Sequence, residues 1–393
     1  MSLVAIDCHM VGQAAAGDAG NARYAATLLA AMAATAPDGD AVAALVATPE
    51  GARALERFGR TVGVPANDVA RLARAAPRAL ADLAADAAVF TYVSPGWCPC
   101  PVLLAVHDAT FMTDPQWLGA RARAVLRGLV PRSARRARVV LALSATAAAD
   151  VARALRLPEH KLRVVSPHPA PVFTPEDPGD AGGAAARVAA RFGLGRYCLA
   201  VGDLGPRKNL GALGDAVRAV RARGTELELA LVGKPGPGGE RIAAQSGGRW
   251  LGHVDDATLA DLYRAAAVTA YPSLYEGFGL PAVEAMACGS PVVASDRGAL
   301  PEVTGGAAVL TEPSARGIAD GLTLALDPGV AGRLRAMGPE RAAAYSQAAM
   351  GRAAWAAVAE ALGPGPGAGR GGGASRGAGA GWGGGWGGGG GAA

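Results

Sequence analysis

The chain has 393 residues, of which 51% are hydrophobic and 18% charged, so it is long enough for two domains of ordinary size with filled cores, and global disorder is excluded. The net charge of +5 is carried by arginine, because Lys161, Lys208 and Lys234 are the only lysines. The basic balance therefore reads as base composition, compatible with a weak pull towards anionic lipid or a nucleotide, and no nucleic-acid partner is expected.

Apolar runs at 3–6, 41–46, 87–91, 102–106, 139–143 and 162–165 predict strands, and alanine-rich stretches near 21–36, 50–58, 68–84, 117–137 and 145–156 predict helices between them. This alternation predicts a doubly wound parallel sheet with its ligand edge at the carboxyl ends of the strands. After the first strand, Gly17-Asp18-Ala19-Gly20-Asn21-Ala22-Arg23-Tyr24 opens a helix with a glycine-rich turn, a weak phosphate signal when it stands alone. Asp38-Gly39-Asp40 has the Asp-x-Asp form of a divalent-metal element, but it reads as turn chemistry at the opposite edge of the sheet, and no metal is expected.

Val106-His107-Asp108 follows a strand at the ligand edge, where the histidine can hydrogen-bond a ligand hydroxyl, share charge with Asp108 or be structural. Cys8, Cys98, Cys100, Cys198 and Cys288 are odd in number and scattered, which reads as reduced thiols. Cys98-Pro99-Cys100 with His107 lacks a fourth ligand and any standard zinc spacing. The stretch 117–138 is amphipathic, with Leu118, Ala122, Val125, Leu126 and Leu129 on one face and Arg121, Arg123, Arg127, Arg132, Arg135 and Arg136 elsewhere. It is either a surface helix packed on its own sheet or one that rests on an anionic membrane. No apolar run reaches spanning length without an Arg, Asp or Gly break, and no signal-like core follows a basic start, so a cytoplasmic protein is expected, at most peripheral at the inner face of the membrane.

A Pro-, Gly- and Asp-rich stretch from 167 to 183 interrupts the pattern, giving an expected first domain at 1–166 and a linker at 167–192. A second alternating set predicts another domain over 193–345, with strands at 197–201, 227–232, near Trp250, 268–271 and 292–294. A C-terminal helix at 346–362 follows. The glycine-rich residues 363–393, with Pro364, Pro366, Trp382 and Trp386, are expected to form a disordered tail.

The chemistry concentrates in this second set. Val201-Gly202-Asp203-Leu204-Gly205-Pro206-Arg207-Lys208-Asn209 is a strand end, a turn and a helix start, with two adjacent cations suited to a diphosphate and Asn209 as a candidate cap. Leu231-Val232-Gly233-Lys234 repeats the strand-then-glycine design, and Lys234 reads equally as a ligand contact or a solvent charge. Asp255 and Asp256 are expected to cap the helix that follows. In Tyr271-Pro-Ser-Leu-Tyr-Glu276-Gly277-Phe278-Gly279-Leu280-Pro281-Ala-Val-Glu284, the glycines permit close backbone approach to a ligand, and Pro281 starts a helix expected to run over 281–288. That helix offers its N-terminus to an anion. Glu276 precedes it in a loop, while Glu284, about one turn in, can accept the paired hydroxyls of a ribose.

Glu276 and Glu284, seven residues between them, inside Pro-Ser-Leu-Tyr-Glu-Gly-Phe-Gly-Leu-Pro, resemble the signature of the retaining glycosyltransferases of family 4, the glycosyl transferases group 1. The resemblance extends to Arg207-Lys208-Asn209 and to the His107-Asp108 segment, and covers nearly everything before the glycine-rich end. It implies a GT-B fold, an α/β architecture of two Rossmann-like domains facing across a cleft, with an acceptor-side first domain and a second domain that binds a nucleotide-diphosphate sugar. It implies that Arg207 and Lys208 bind the donor diphosphate, that Glu276 and His107 face the sugar, and that Glu284 holds the ribose. It further implies that Gly277, Phe278, Gly279, Leu280, Lys234, the backbone at Val254, and Gly20 line the donor site. Alanine at 22, where relatives often have glycine, and His168, near which relatives often have Asn-Gly, depart from the pattern.

The implied reaction needs no cofactor or metal. A hexose moves with retention to a glycan or lipid-linked acceptor, which attacks on the face the leaving group vacates while a diphosphate oxygen takes its proton. The His-Asp-Ala-Thr-Phe and Arg-Tyr segments resemble those of bacterial O-antigen and exopolysaccharide mannosyltransferases, so mannose from GDP-mannose is the expected donor sugar. The alternatives are a catalytically silent subunit that binds a nucleotide sugar, or a sugar-nucleotide 2-epimerase.

Overall fold

The computed structural model describes residues 1–13, 19–180, 182–235 and 239–363. The first sheet contains β1 (Leu3–Asp7), β2 (Ala41–Val46), β3 (Arg60–Gly63), β4 (Ala87–Thr91), β5 (Val102–Ala105), β6 (Val139–Ala142) and β7 (Leu162–Val164). All its pairs are parallel, in the order β3-β2-β1-β4-β5-β6-β7. β5 and β6 are buried at every position, as expected where helices cover both faces of a parallel sheet.

The second sheet is β8 (Tyr197–Val201), β9 (Glu228–Val232), β10 (Arg249–Trp250), β11 (Val268–Tyr271), β12 (Val292–Ser295) and β13 (Val309–Thr311). It is also wholly parallel, in the order β10-β9-β8-β11-β12-β13. In both sheets the strand order reverses beside the first strand, between β1 and β4 and between β8 and β11. A doubly wound sheet opens a crevice beyond the carboxyl ends at such a point. The two α/β halves are those expected from the sequence.

Four apolar clusters cover the two faces of the two sheets. The helix Gln347–Leu362, placed at the chain's end by the sequence pattern, packs on the first sheet's core through Met350, Ala354, Trp355 and Val358, against Leu28, Leu29 and Met32. Trp355 Nε1 donates to the Met32 carbonyl at 2.9 Å. The chain thus passes into the second half and returns to the first.

Two strands and one helix depart from the sequence expectation. β3 and β13 are short edge strands without a continuous buried run, held by one neighbour each. Within the stretch expected to be a linker, Gly183–Phe192 is a helix that buries Ala184 and Val188, and Val188 joins the core that contains Tyr263. Arg187 ties this helix to Asp261 at 2.7 Å and Asp180 at 2.8 Å. The predicted stretch 117–138 begins with the turn Pro115–Trp117 and continues as the helix Ala120–Arg136. Only its second half is buried, through Val130, Pro131, Ser133 and Ala134. The predicted tail, including Trp382 and Trp386, lies outside the described residues apart from Gly363, as do Gly17, Asp18 and Gly236.

Candidate active site

The candidate diphosphate cations follow β8 and the two glutamates follow β11, so they meet at the second sheet's switch point. The turn Pro206–Lys208 is held there because Leu274 N donates to the Arg207 carbonyl at 2.9 Å. Asn209 has a left-handed backbone and does not cap the next helix as expected. Its amide instead donates to the carbonyls of Pro272 at 3.2 Å and Pro313 at 2.8 Å. With the turn so fixed, Arg207 Nη1 lies 2.6 Å and Lys208 Nζ 2.8 Å from the same oxygen, Oε1 of Glu276. Lys208 also donates to Tyr271 Oη at 2.7 Å, and Arg207 to the Tyr275 carbonyl at 2.8 Å.

Glu276 and Lys208 are buried. Burial disfavours the charge on Glu276, but Arg207 and Lys208 outweigh it and hold the carboxyl at about 2. Burial lowers the Lys208 ammonium despite the neighbouring carboxylate. Two cations against one carboxylate leave one positive charge in excess, beside the N-terminus of the helix Leu280–Ala287. Gly279, at φ 98°, takes the position before that helix, and its carbonyl accepts from Ala282 N at 2.9 Å. An anion would meet both the excess charge and the helix dipole.

Glu284 is almost wholly buried, and burial pushes its carboxyl up to about 7, opposed by Arg23. Tyr263 Oη donates to Oε2 at 3.4 Å, and Arg23 Nη2 lies 2.8 Å from Oε1. Arg23 comes from the first half of the chain, on the helix Ala19–Ala34, and also lies 3.5 Å from Asp256. Its 2.8 Å contact with Oε1 lacks hydrogen-bond geometry, and both atoms remain without a hydrogen-bond partner. His168 Nδ1 lies 2.8 Å from the Pro169 carbonyl, which leaves Nε2 buried without a partner.

His107 follows β5. Its ring stands edge-on to Tyr24 at 4.5 Å and Tyr92 at 5.5 Å, and Nε2 is buried without a partner. Burial lowers the imidazole to about 3, so the ring is neutral. Asp108 does not share its charge with the imidazole: its Oδ1 accepts from Thr110 N at 2.9 Å and Thr110 Oγ1 at 2.6 Å.

At Gly277 the two halves pack closely, since a Cβ there would lie 2.3 Å from the His107 carbonyl oxygen. Around it, Ser144 Oγ donates to the Gly277 carbonyl at 2.8 Å and Tyr275 Oη to Asp150 at 2.9 Å. Glu302 accepts from the backbone N–H groups of Ala145 and Thr146 at 2.8 Å, and from Thr146 Oγ1 at 2.7 Å. The sequence reading overlooked Ser144, Asp150, Tyr275 and Glu302. Ser144, two residues beyond β6 and N-cap of Ala145–Leu155, carried the one available signal, its place at a strand's carboxyl end.

The remaining predicted contacts lie around this junction. Phe278 turns its ring into the core, edge-on to Tyr345 at 5.0 Å, and Val254 buries its side chain, so only their backbones can face a ligand. Leu280 begins the helix, Gly20 is exposed near the start of Ala19–Ala34, and Lys234 is exposed beyond β9. Asp255 caps its helix as expected, accepting from Thr258 N at 2.7 Å. Asp40 accepts from Ser2 N at 2.6 Å, and among the described residues no group of three or more His, Cys, Asp and Glu side chains could hold a metal. Two hollows of about 320 and 470 Å³, lined by residues such as Leu3, Asp40 and Arg60 or Gly195 and Glu228, open at the sheets' amino edges and belong to no part of this site.

Residues 195–327, which carry both cations and both glutamates, match the family described as Glycosyl transferases group 1. The match spans about a third of the chain and is a similarity of its second half to that family. The chain is 29% identical over 219 residues to O-antigen chain mannosyltransferase B of Escherichia coli, covering 53% of this chain and 56% of the relative. It is 47% identical over 106 residues to the MMP alpha-(1->4)-mannosyltransferase of Mycolicibacterium hassiacum, covering 25% and 26%. The alignments therefore span about half, or about a quarter, of these relatives' lengths. HepE from Anabaena, solved in complex with UDP, superposes with a TM-score of 0.66 at 16% identity, covering 91% of this chain and 99% of that one, a likeness of fold. The fold is GT-B.

Proposed function

We propose that this chain is a retaining, metal-independent glycosyltransferase that moves a hexose from a nucleotide-diphosphate sugar to a glycan or lipid-linked acceptor, with mannose from GDP-mannose as the donor sugar. The observation that carries the reading is the convergence of Arg207 and Lys208 on one oxygen of Glu276 beside the start of Leu280–Ala287. The excess positive charge and the helix dipole suit a departing diphosphate, whose charge they stabilise as it develops. Glu276, held ionised, positions sugar hydroxyls, and the neutral His107 offers Nε2 to another. Glu284 accepts the ribose hydroxyls once Arg23 leaves Oε1. The acceptor oxygen bonds to the anomeric carbon on the face the diphosphate leaves, and a diphosphate oxygen takes the acceptor's proton. The mannosyltransferases among the similar proteins support the sugar, and the UDP bound by HepE supports a nucleotide donor in this fold.

The test incubates purified protein with GDP-mannose, UDP-glucose and other nucleotide sugars, with and without chelator, and follows nucleoside diphosphate release. Release from GDP-mannose that survives chelator is expected. Release that requires a divalent metal would overturn the mechanism, and binding of a donor without release of nucleoside diphosphate would indicate a silent subunit.

The same reading extends to location. Among the described residues no helix is long and apolar enough to cross a membrane. In the first half of Ala120–Arg136 no residue is fully buried, Leu126 packs partly against the core, Val125 and the following Leu129 are exposed among arginines, and Trp97 is exposed. This face suits peripheral contact with anionic lipid. Sedimentation with vesicles containing phosphatidylglycerol, but not with phosphatidylcholine alone, is expected.

A further inference from the structure

Cys98-Pro99-Cys100 takes no part in the site described above. The crossover 92–101 joins the adjacent parallel strands β4 and β5 without an intervening helix, and it ends at the amino edge of the sheet, opposite the candidate active site. Cys98 Sγ and Cys100 Sγ lie 3.8 Å apart, and both side chains are half-buried. Both cysteines pack partly buried against the core behind β5, while the neighbouring Trp97 is 68% exposed. By contrast, Cys8, Cys198 and Cys288 are buried.

We propose that Cys98 and Cys100 form a redox-modification site, a dithiol that a small-molecule disulfide converts into an intramolecular disulfide. The two thiols are chemically unequal. The hydrogen bond from Cys100, against the opposing effect of burial, brings the Cys98 thiol down to about 7, while the same bond and burial push Cys100 up. Cys98 is therefore the attacking sulfur, because the thiolate is the nucleophile. Its sulfur bonds to one sulfur of the small disulfide and expels the other half as a thiolate. Cys100 then gives up its proton, its sulfur bonds to Cys98 Sγ, and the second half leaves as a thiolate. One disulfide is reduced to two thiols, and the protein loses two hydrogens. Burial pushes the thiols of Cys198 and Cys288 up to about 12 and that of Cys8 higher still, so they do not compete. The proposal does not depend on the glycosyltransferase reading.

The test equilibrates the full chain in glutathione buffers from reducing to oxidising, quenches with acid, and alkylates after denaturation for peptide mass spectrometry. The peptide bearing Cys98 and Cys100 is expected to lose two hydrogens, while Cys8, Cys198 and Cys288 remain alkylatable. Cys100→Ser is expected to retain glutathione on Cys98, and Cys98→Ser to react roughly tenfold more slowly. Three results would overturn the proposal: wild-type protein that retains glutathione on Cys98 beside a reduced Cys100, disulfide-linked dimers as the main product, or both thiols reduced under conditions that oxidise an exposed dithiol peptide.

Discussion

Two cations share one carboxylate oxygen at Glu276, and this arithmetic separates the roles of the residues around it. Lys208→Ala leaves Arg207 to neutralise Glu276 and removes the excess charge assigned to the leaving diphosphate. Turnover is expected to fall at least tenfold, about 1.4 kcal/mol of barrier, with urea denaturation of wild type and variant as the control for stability. Steady-state kinetics with the preferred donor measures this, and wild-type turnover would refute the role. Glu284 supplies a pH test. Its carboxyl is raised in the folded state from an ordinary 4.5 to about 7, so between these values the folded protein holds more protons than the unfolded chain. Its contribution to stability therefore falls as pH rises through that window. Glu284→Gln is expected to remove this component, so that the variant gains stability relative to wild type from pH 5 to pH 8, read by urea denaturation at each pH. The residue types and spacing of Arg207, Lys208, Glu276 and Glu284 were legible in the sequence. That Glu284 faces Arg23, and that Asp108 serves Thr110 and not His107, follows from contacts that spacing does not encode.

The helix Ala145–Leu155 is capped at its N-terminus by Ser144 and donates a second set of hydrogen bonds to Glu302 in the other half of the molecule. Glu302→Ala removes a carboxylate that satisfies two backbone donors and one hydroxyl across the junction. A loss of about 1–2 kcal/mol is expected in urea denaturation, with a larger radius of gyration in X-ray scattering if the halves separate. An unchanged stability and radius would show that the contact does not hold the junction. Elements with continuous apolar runs, such as β5 and β6, were legible because burial on both faces selects such runs. β3 and β13 were not, because an edge strand with one partner needs only backbone pairing and shows little apolar pattern. The helix Gly183–Phe192 was hidden by the turn-forming residues before it, and its place is decided by Val188 in the core and Arg187 on Asp261.

At the scale of the molecule, the return of Gln347–Leu362 to the first sheet makes the two halves depend on one another. Trp355→Ala leaves a cavity against Met32 and removes the indole donor from the Met32 carbonyl, which keeps Thr35 N at 3.3 Å. A cost of about 3–5 kcal/mol is expected in chemical denaturation, with the loss falling first on the half that contains β1 to β7. Hydrogen exchange resolved along the chain would locate it, and equal protection in wild type and variant would exclude this role. The sequence by itself determined the two alternating α/β halves, the turn after β8 with its two cations, and the proline-started helix bearing Glu284, because strand periodicity, turn chemistry and helix caps are local properties. Only the tertiary structure decided which charges meet, that Gly277 is pressed against the His107 carbonyl, and that the last helix belongs to the first sheet. Those facts depend on how residues from 68 to 323 positions apart are packed, and nothing in local composition records that distance.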